Sequence, residues 1–317
     1  MTLAIVFPGQ GSQSVGMLAA LAATEPLVRQ TFDEASAVLG YDLWSLCQQG
    51  PESELGTTEK TQPAMLAAGV ATWRVWLRHG GPMPVAMAGH SLGEYTALVC
   101  SQALDFGVAV DLVRFRGQAM QRAVPVGQGA MAAILGLGDD ELAAACREAA
   151  QGEVVEPVNF NAPGQVVIAG HAAAVARAID NAKSRGAKRA MSLPVSVPSH
   201  SSLMSGAADQ LAERLLTVDL ATPVVPAVYT VDLQTHQSPD GIRRALREQL
   251  FKPVRWADTV RAMIAGGVTT FVECGPGRVL TSLGKRIDRR PELRMLAIDD
   301  PDSLSAALTA AGETVHA

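Results

Sequence analysis

Gly89-His90-Ser91-Leu92-Gly93 is the segment of this chain whose residue types could do covalent chemistry. It follows an apolar run, Val85 to Ala88, and leads into a helix-like stretch, Glu94 to Cys100. A strand, then G-x-S-x-G, then a helix is the pattern of a nucleophile elbow. Flanking residues without bulk permit the sharp turn, and the turn lifts the serine hydroxyl out of the sheet. The helix that follows aims backbone N–H groups at the place where an oxyanion would form. The same pentapeptide also serves as a plain strand-to-helix turn whose serine only caps the helix, so the rest of the chain has to decide.

A serine nucleophile needs a base. The histidines are His79, His90, His171, His200, His236 and His316. His90 adjoins Ser91, and neighbours at a tight turn point apart. His200, in Val195-Ser196-Val197-Pro198-Ser199-His200, lies at the return from a middle segment described below and is the candidate base; a solvated cap at a helix start is the alternative. No Asp or Glu has an evident claim as the third member, and a backbone carbonyl can hold an imidazole equally well. Gly9-Gln10-Gly11 follows the first strand, where Gln10 could offer a second N–H to an oxyanion or simply form a turn. Arg114 and Arg116 are spaced i, i+2 on one helix and cannot share a face, so one can point inward. A guanidinium buried beside a nucleophile would pair with a carboxylate in a bidentate fork.

These groups have to be positioned by a sheet. Leu3 to Phe7, Val85 to Ala88, Thr269 to Glu273 and Met295 to Ile298 read as short, continuously apolar strands. Helical patterns at Ala64 to Arg78, Asp105 to Arg122 and Leu203 to Leu216 separate them. That alternation predicts a mainly parallel sheet covered on both faces. The middle of the chain differs. Strands at Ala130 to Leu137, Val154 to Asn161, Gln165 to Ala169 and Lys188 to Leu193 alternate with helices at Asp139 to Ala149, N-capped by Asp139, and Ala172 to Arg185. The order β-α-β-β-α-β is the ferredoxin-like unit. The expected division is 1–126 with 196–317 as the larger α/β domain and 127–195 as an inserted small subdomain, the cleft between them being the site.

Composition removes whole classes. Net charge is −5, from 31 acidic and 26 basic residues, and aromatics are 4%. Neither suits a nucleic-acid surface. Cys47, Cys100, Cys146 and Cys274 are scattered without a C-x-x-C pair, which disfavours zinc and disulfides and fits a reducing compartment. The start, Met1-Thr2-Leu3-Ala4, has no basic n-region, and no apolar run reaches membrane-spanning length. The expectation is a soluble, cytoplasmic protein with no membrane or metal partner.

Seven blocks, taken in order, resemble the malonyl-CoA:acyl carrier protein transacylases of type II fatty acid synthesis over almost the whole chain. They are Phe7-Pro8-Gly9-Gln10-Gly11-Ser12-Gln13, Thr61-Gln62-Pro63-Ala64, Gly89 to Glu94, Arg114-Phe115-Arg116-Gly117, Asn159 to Gln165, Pro198-Ser199-His200 and Glu273-Cys274-Gly275-Pro276-Gly277. The resemblance implies an α/β-hydrolase-like domain carrying a ferredoxin-like subdomain. It implies Ser91 as nucleophile, His200 as general base and Arg116 as the clamp on the free malonyl carboxylate. Gln10 and Leu92 match the oxyanion-hole positions, and Gln249 the residue whose main-chain carbonyl holds the histidine. Gln62 and His90 match pocket-lining positions. The implied substrates are malonyl-CoA and the phosphopantetheine arm of acyl carrier protein, with no cofactor or metal beyond the coenzyme A thioester itself, and the protein is expected to be a monomer. Ser201-Ser202-Leu203-Met204 departs from relatives that carry cysteine after the histidine, with no expected chemical effect. A polyketide acyltransferase or the transferase subunit of a malonate decarboxylase would use the same motifs.

Overall fold

The computed structural model describes residues 2–195 and 197–315. Met1, Ser196 and His316, which entered the reading above, lie outside the described residues, as does Ala317. The strands are β1 Thr2–Phe7, β2 Ala86–Gly89, β3 Gly129–Leu135, β4 Val155–Ala162, β5 Gln165–His171, β6 Arg189–Ser192, β7 Ala227–Val228, β8 Val268–Cys274 and β9 Arg294–Ile298. One sheet has the order β7-β2-β1-β8-β9, with every pairing parallel. The other has the order β4-β5-β3-β6, with every pairing antiparallel. The fold class is therefore mixed α/β, with a parallel sheet and a separate antiparallel sheet.

The parallel sheet is where continuous apolar runs placed it. From Leu3 onward β1 is wholly buried, because helices cover both faces and leave no solvent side that would favour alternation. β7 has only two residues, too few for a periodic signal, and the sequence reading missed it. The antiparallel sheet carries helices Asp139–Ala150 and Ala172–Ser184, whose apolar faces meet Ile134, Val166 and Ile168 in a core of their own. Asp139 is not the N-cap. Gly138 occupies that place, and Asp139, Asp140 and Glu141 fill the first turn, where negative charge suits the helix dipole.

Another boundary moved for a reason that matters to the site. The sequence reading begins this helix at Ala64, yet it runs Thr58–Arg78 with Pro63 inside it. A proline there costs one backbone hydrogen bond. Thr58, Thr61, Gln62 and Pro63 are all buried, and that packing outweighs the loss. Gln62 is thereby carried into the interior as part of a rigid helix. The Leu203 to Leu216 stretch divides into a short 3₁₀ turn, Ser202–Met204, and a helix, Ser205–Leu215.

β4 joins the two sheets' surroundings. Phe160 N–H donates to Val254 O at 2.9 Å, and Val254 N–H donates to Val158 O at 2.8 Å. Glu156 accepts from both the backbone N–H and the hydroxyl of Ser202, each at 2.8 Å. The antiparallel sheet is thus tied directly to the segment that follows His200. Among the described residues no helix is long and apolar enough to cross a membrane, and all four cysteines are free and buried.

Candidate active site

The elbow begins at the end of β2. His90 N–H bonds Phe7 O at 3.0 Å, Gly93 N–H bonds His90 O at 3.0 Å, and Glu94 N–H bonds Ser91 O at 3.0 Å. Ser91 is held at φ 52, a left-handed conformation that non-glycine residues seldom adopt. Its flanks must lack a Cβ. One added at Gly89 would lie 1.8 Å from Gly93 C, and one at Gly93 would lie 2.1 Å from Phe7 O. Both obstacles are backbone and cannot rotate away. The helix Gly93–Cys100 starts directly beyond the turn.

Ser91 opens into a cavity of about 700 Å³ between the two sheets' loops. Gln10, Gln62, His90, Leu92, Arg116, Asn159 and His200 share its wall. Among the described residues, the backbone N–H groups of Gln10 and Leu92 make no hydrogen bond to protein. Arg116 is 1% exposed. Its Nη1 donates to Gln62 Oε1 at 2.8 Å, and its Nη2 to Gln249 Oε1 at 2.9 Å and to Ser91 Oγ at 3.2 Å. Arg114, two residues away, faces outward and pairs with Asp111, as the i, i+2 spacing required.

His200 also lies in the left-handed region, at φ 65. It docks on the end of the helix Pro239–Phe251. Its backbone N–H donates to Leu250 O at 3.2 Å, and its Nδ1 lies 2.7 Å from Gln249 O. Carbonyls in the last helical turn have no partner within the helix, so both are open to an outside donor. A carbonyl can only accept, so Nδ1 carries the proton and Nε2 keeps its lone pair. No hydrogen bond joins His200 to Ser91 Oγ among the described residues; the serine hydroxyl accepts from Arg116.

Burial, together with the Arg116 charge, pushes the His200 imidazole down to about 3, against the hydrogen bond to Gln249. The expected result is a neutral ring throughout the range in which a free histidine protonates. Nitrogen NMR of labelled protein should show His200 as the Nδ1–H tautomer from pH 8 to pH 5, and titration near 6.5 would contradict it. The sign for stability follows. The unfolded ring takes a proton below its ordinary 6.5 while the folded ring does not, so this group lowers stability as pH falls from 6.5 towards 3.

The other described histidines each have a polar partner of their own. His90 Nε2 lies 2.8 Å from Asn161 Oδ1. His79 pairs with Glu25, His236 with Asp232, and His171 Nδ1 accepts from Val154 N–H. Sequence reasoning missed Glu94, which is 2% exposed. It accepts from Thr230 N–H, Thr230 Oγ1 and Gln249 Nε2, each at 2.7 Å. Burial pushes its carboxyl up to about 7, against those hydrogen bonds. Its position directly after the elbow was visible; the distant partners that define it, Thr230 and Gln249, were not.

Comparisons with known proteins identify the family. The acyl transferase domain family matches residues 4–293. The malonyl CoA-acyl carrier protein transacylase of Escherichia coli O157:H7 is 57% identical over 305 residues, 96% of this chain and 98% of the relative. That of Bacillus subtilis (strain 168) is 43% identical over 307 residues, 96% of each chain. Among solved structures, a malonyl-transacylase in complex with a type II PKS acyl-carrier protein superposes with a TM-score of 0.96 at 56% identity, covering 98% of this chain and 100% of that one. An acyl carrier protein S-malonyltransferase from Vibrio cholerae O1 biovar eltor gives 0.93 at 56% identity, covering 96% and 99%. This chain belongs to the acyl transferase domain family and, within it, to the malonyl CoA-acyl carrier protein transacylases.

Proposed function

We propose that this enzyme moves a malonyl group from coenzyme A to the phosphopantetheine thiol of acyl carrier protein through an ester on Ser91. The observation that carries the reading is a fully buried arginine whose Nη2 lies 3.2 Å from the candidate nucleophile. A guanidinium at that depth suits an acyl group with a second carboxylate, which can take up the charge.

The arrangement of these groups supports the following steps. His200 Nε2 removes the Ser91 proton, and Oγ attacks the thioester carbonyl. The oxyanion rests on the N–H groups of Gln10 and Leu92. As the intermediate collapses the carbon–sulfur bond breaks, and the coenzyme A sulfur takes the proton from His200. The carrier thiol then gives its proton to His200 and attacks the malonyl ester, and Ser91 leaves with that proton restored. The partial negative charge at the end of the Pro239–Phe251 helix stabilises the imidazolium in each half-reaction. Gln62 and His90 line the acyl pocket. The test is intact-protein mass spectrometry after mixing with malonyl-CoA: one malonyl adduct is expected, discharged by holo carrier protein. Free malonate released at the same rate with and without carrier protein would instead indicate a hydrolase.

In fold terms we read the larger part, 1–126 with 196–317, as α/β-hydrolase-like and 127–195 as a ferredoxin-like insertion. The β4-β5-β3-β6 order in the latter supports that reading. We take the enzyme to work as a cytoplasmic monomer. The acidic carrier would dock on a basic groove formed with Lys188, Arg189 and Arg286, all exposed. Lys285, exposed and next to Arg286 in the sequence, is a further candidate; Lys183 and Arg185 are weaker ones, being paired with Asp180 and Glu148. Reversing the charge at Lys188 and Arg189 together should raise the carrier-protein KM about tenfold and leave that for malonyl-CoA within about twofold. Equal effects on the two substrates would remove the groove from this role.

A further inference from the structure

Glu94 has no part in the transfer steps, yet it is bonded to Gln249, which meets both Arg116 and Ser91. Oε1 accepts from the N–H and the hydroxyl of Thr230, and Oε2 accepts from Gln249 Nε2. With donors converging on both oxygens, each must act as an acceptor. Gln249 Nε2 donates a second time, to Ser91 O at 2.7 Å, so both amide protons are engaged. Its Oε1 is then the atom left to meet Arg116 Nη2.

We propose that Glu94 is a positioning residue: its carboxylate fixes which way round the Gln249 amide lies, and so holds Arg116 beside Ser91 in the orientation that reads a second carboxylate on the acyl group. The inference rests on the malonyl-transfer reading above. Turned over, the amide would set its oxygen against Ser91 O and the Glu94 carboxylate, and its NH₂ against the guanidinium. Each of those pairings is repulsive, and in a buried site none is relieved by water. With glutamine at position 94 the side chain offers one oxygen and one NH₂. If the oxygen stays on Thr230, the NH₂ meets the NH₂ of Gln249, donor against donor. The conflict is relieved by turning Gln249 over, and that removes the Arg116 acceptor. Glu94 would thus act on selectivity through two intervening side chains, without touching substrate.

The experiment compares kcat/KM for malonyl-CoA and acetyl-CoA. Wild type should favour malonyl strongly, and Arg116→Ala should erase the preference; this arm tests the malonyl reading by itself. Glu94→Gln should cut the preference by about tenfold or more, through malonyl, with acetyl transfer within about threefold of wild type. In a Gln249→Ala background, which keeps the carbonyl that holds His200, the same change should alter the preference by less than about twofold. If Arg116→Ala erases the preference while Glu94→Gln lowers both acyl groups equally, or acts fully without Gln249, the positioning role is overturned. If Arg116→Ala leaves the preference intact, the malonyl reading falls and this inference with it. Should Glu94→Gln not fold, Glu94→Asp keeps the charge but withdraws it from Gln249 by one carbon–carbon bond, and is read by the same criteria.

Discussion

Replacing Ser91 with alanine is expected to lower malonyl transfer by about 10⁴-fold or more and to leave no acyl adduct on the protein. Without Oγ the carrier thiol would have to attack malonyl-CoA directly, and both long pantetheine arms would have to share one cavity. The N–H groups of Gln10 and Leu92 survive the change, so the residual rate reports oxyanion stabilisation and binding alone. Folding is a fair control. Alanine meets the same backbone requirement at φ 52, and the hydrogen bond from the Arg116 guanidinium to Ser91 Oγ is worth about 2 kcal/mol. Melting temperature and intact mass measured together separate chemistry from stability, and a malonyl adduct on the alanine variant would place the nucleophile elsewhere.

Arg116→Ala is expected to cost about 10³-fold in kcat/KM for malonyl-CoA while changing acetyl transfer far less, so that the two acyl groups become comparable substrates. The arginine is buried with hydrogen bonds to Gln62, Gln249 and Ser91. Acetyl-CoA entering the wild-type pocket leaves the guanidinium without the carboxylate it would otherwise meet, and the variant no longer imposes that penalty. Arg116→Lys should not restore selectivity, because an ammonium cannot contact Gln62, Gln249 and a carboxylate in one planar fork. Removing the clamp should also shorten the lifetime of the malonyl ester towards water. Competition assays with both thioesters, and single-turnover ester hydrolysis, check the two parts; an unchanged malonyl preference would remove Arg116 from specificity.

The parallel sheet was legible because burial on both faces leaves continuous apolar runs such as Leu3 to Phe7. The elbow was legible because its glycines are required by close backbone contacts, local for Gly89 and from Phe7 of β1 for Gly93. His200 could be placed only by argument, from its position where the chain returns from the insertion. Gln249 shows the limit. It belongs to the site partly through a backbone carbonyl, which any residue possesses, so its side chain gives no sign of that role; only the resemblance indicated it. Glu94 shows another. A buried carboxylate is defined by its donors, and here those lie 136 and 155 residues further along. The helix start at Thr58 was missed because local propensity penalises Pro63, whereas tertiary burial decided the outcome.

The clasp along β4 bears on how this enzyme handles two large substrates in turn. Glu156 grips Ser202, Val254 pairs with the strand on both of its polar groups, and Asn161 meets His90. A small unit pinned at several points along one strand cannot swing like a jaw without breaking contacts to the histidine's own loop. The crevice is then a standing berth. Coenzyme A and the carrier arm take turns in it, and neither has to wait for the enzyme to close. Exchange of one for the other then needs no hinge motion of the small unit.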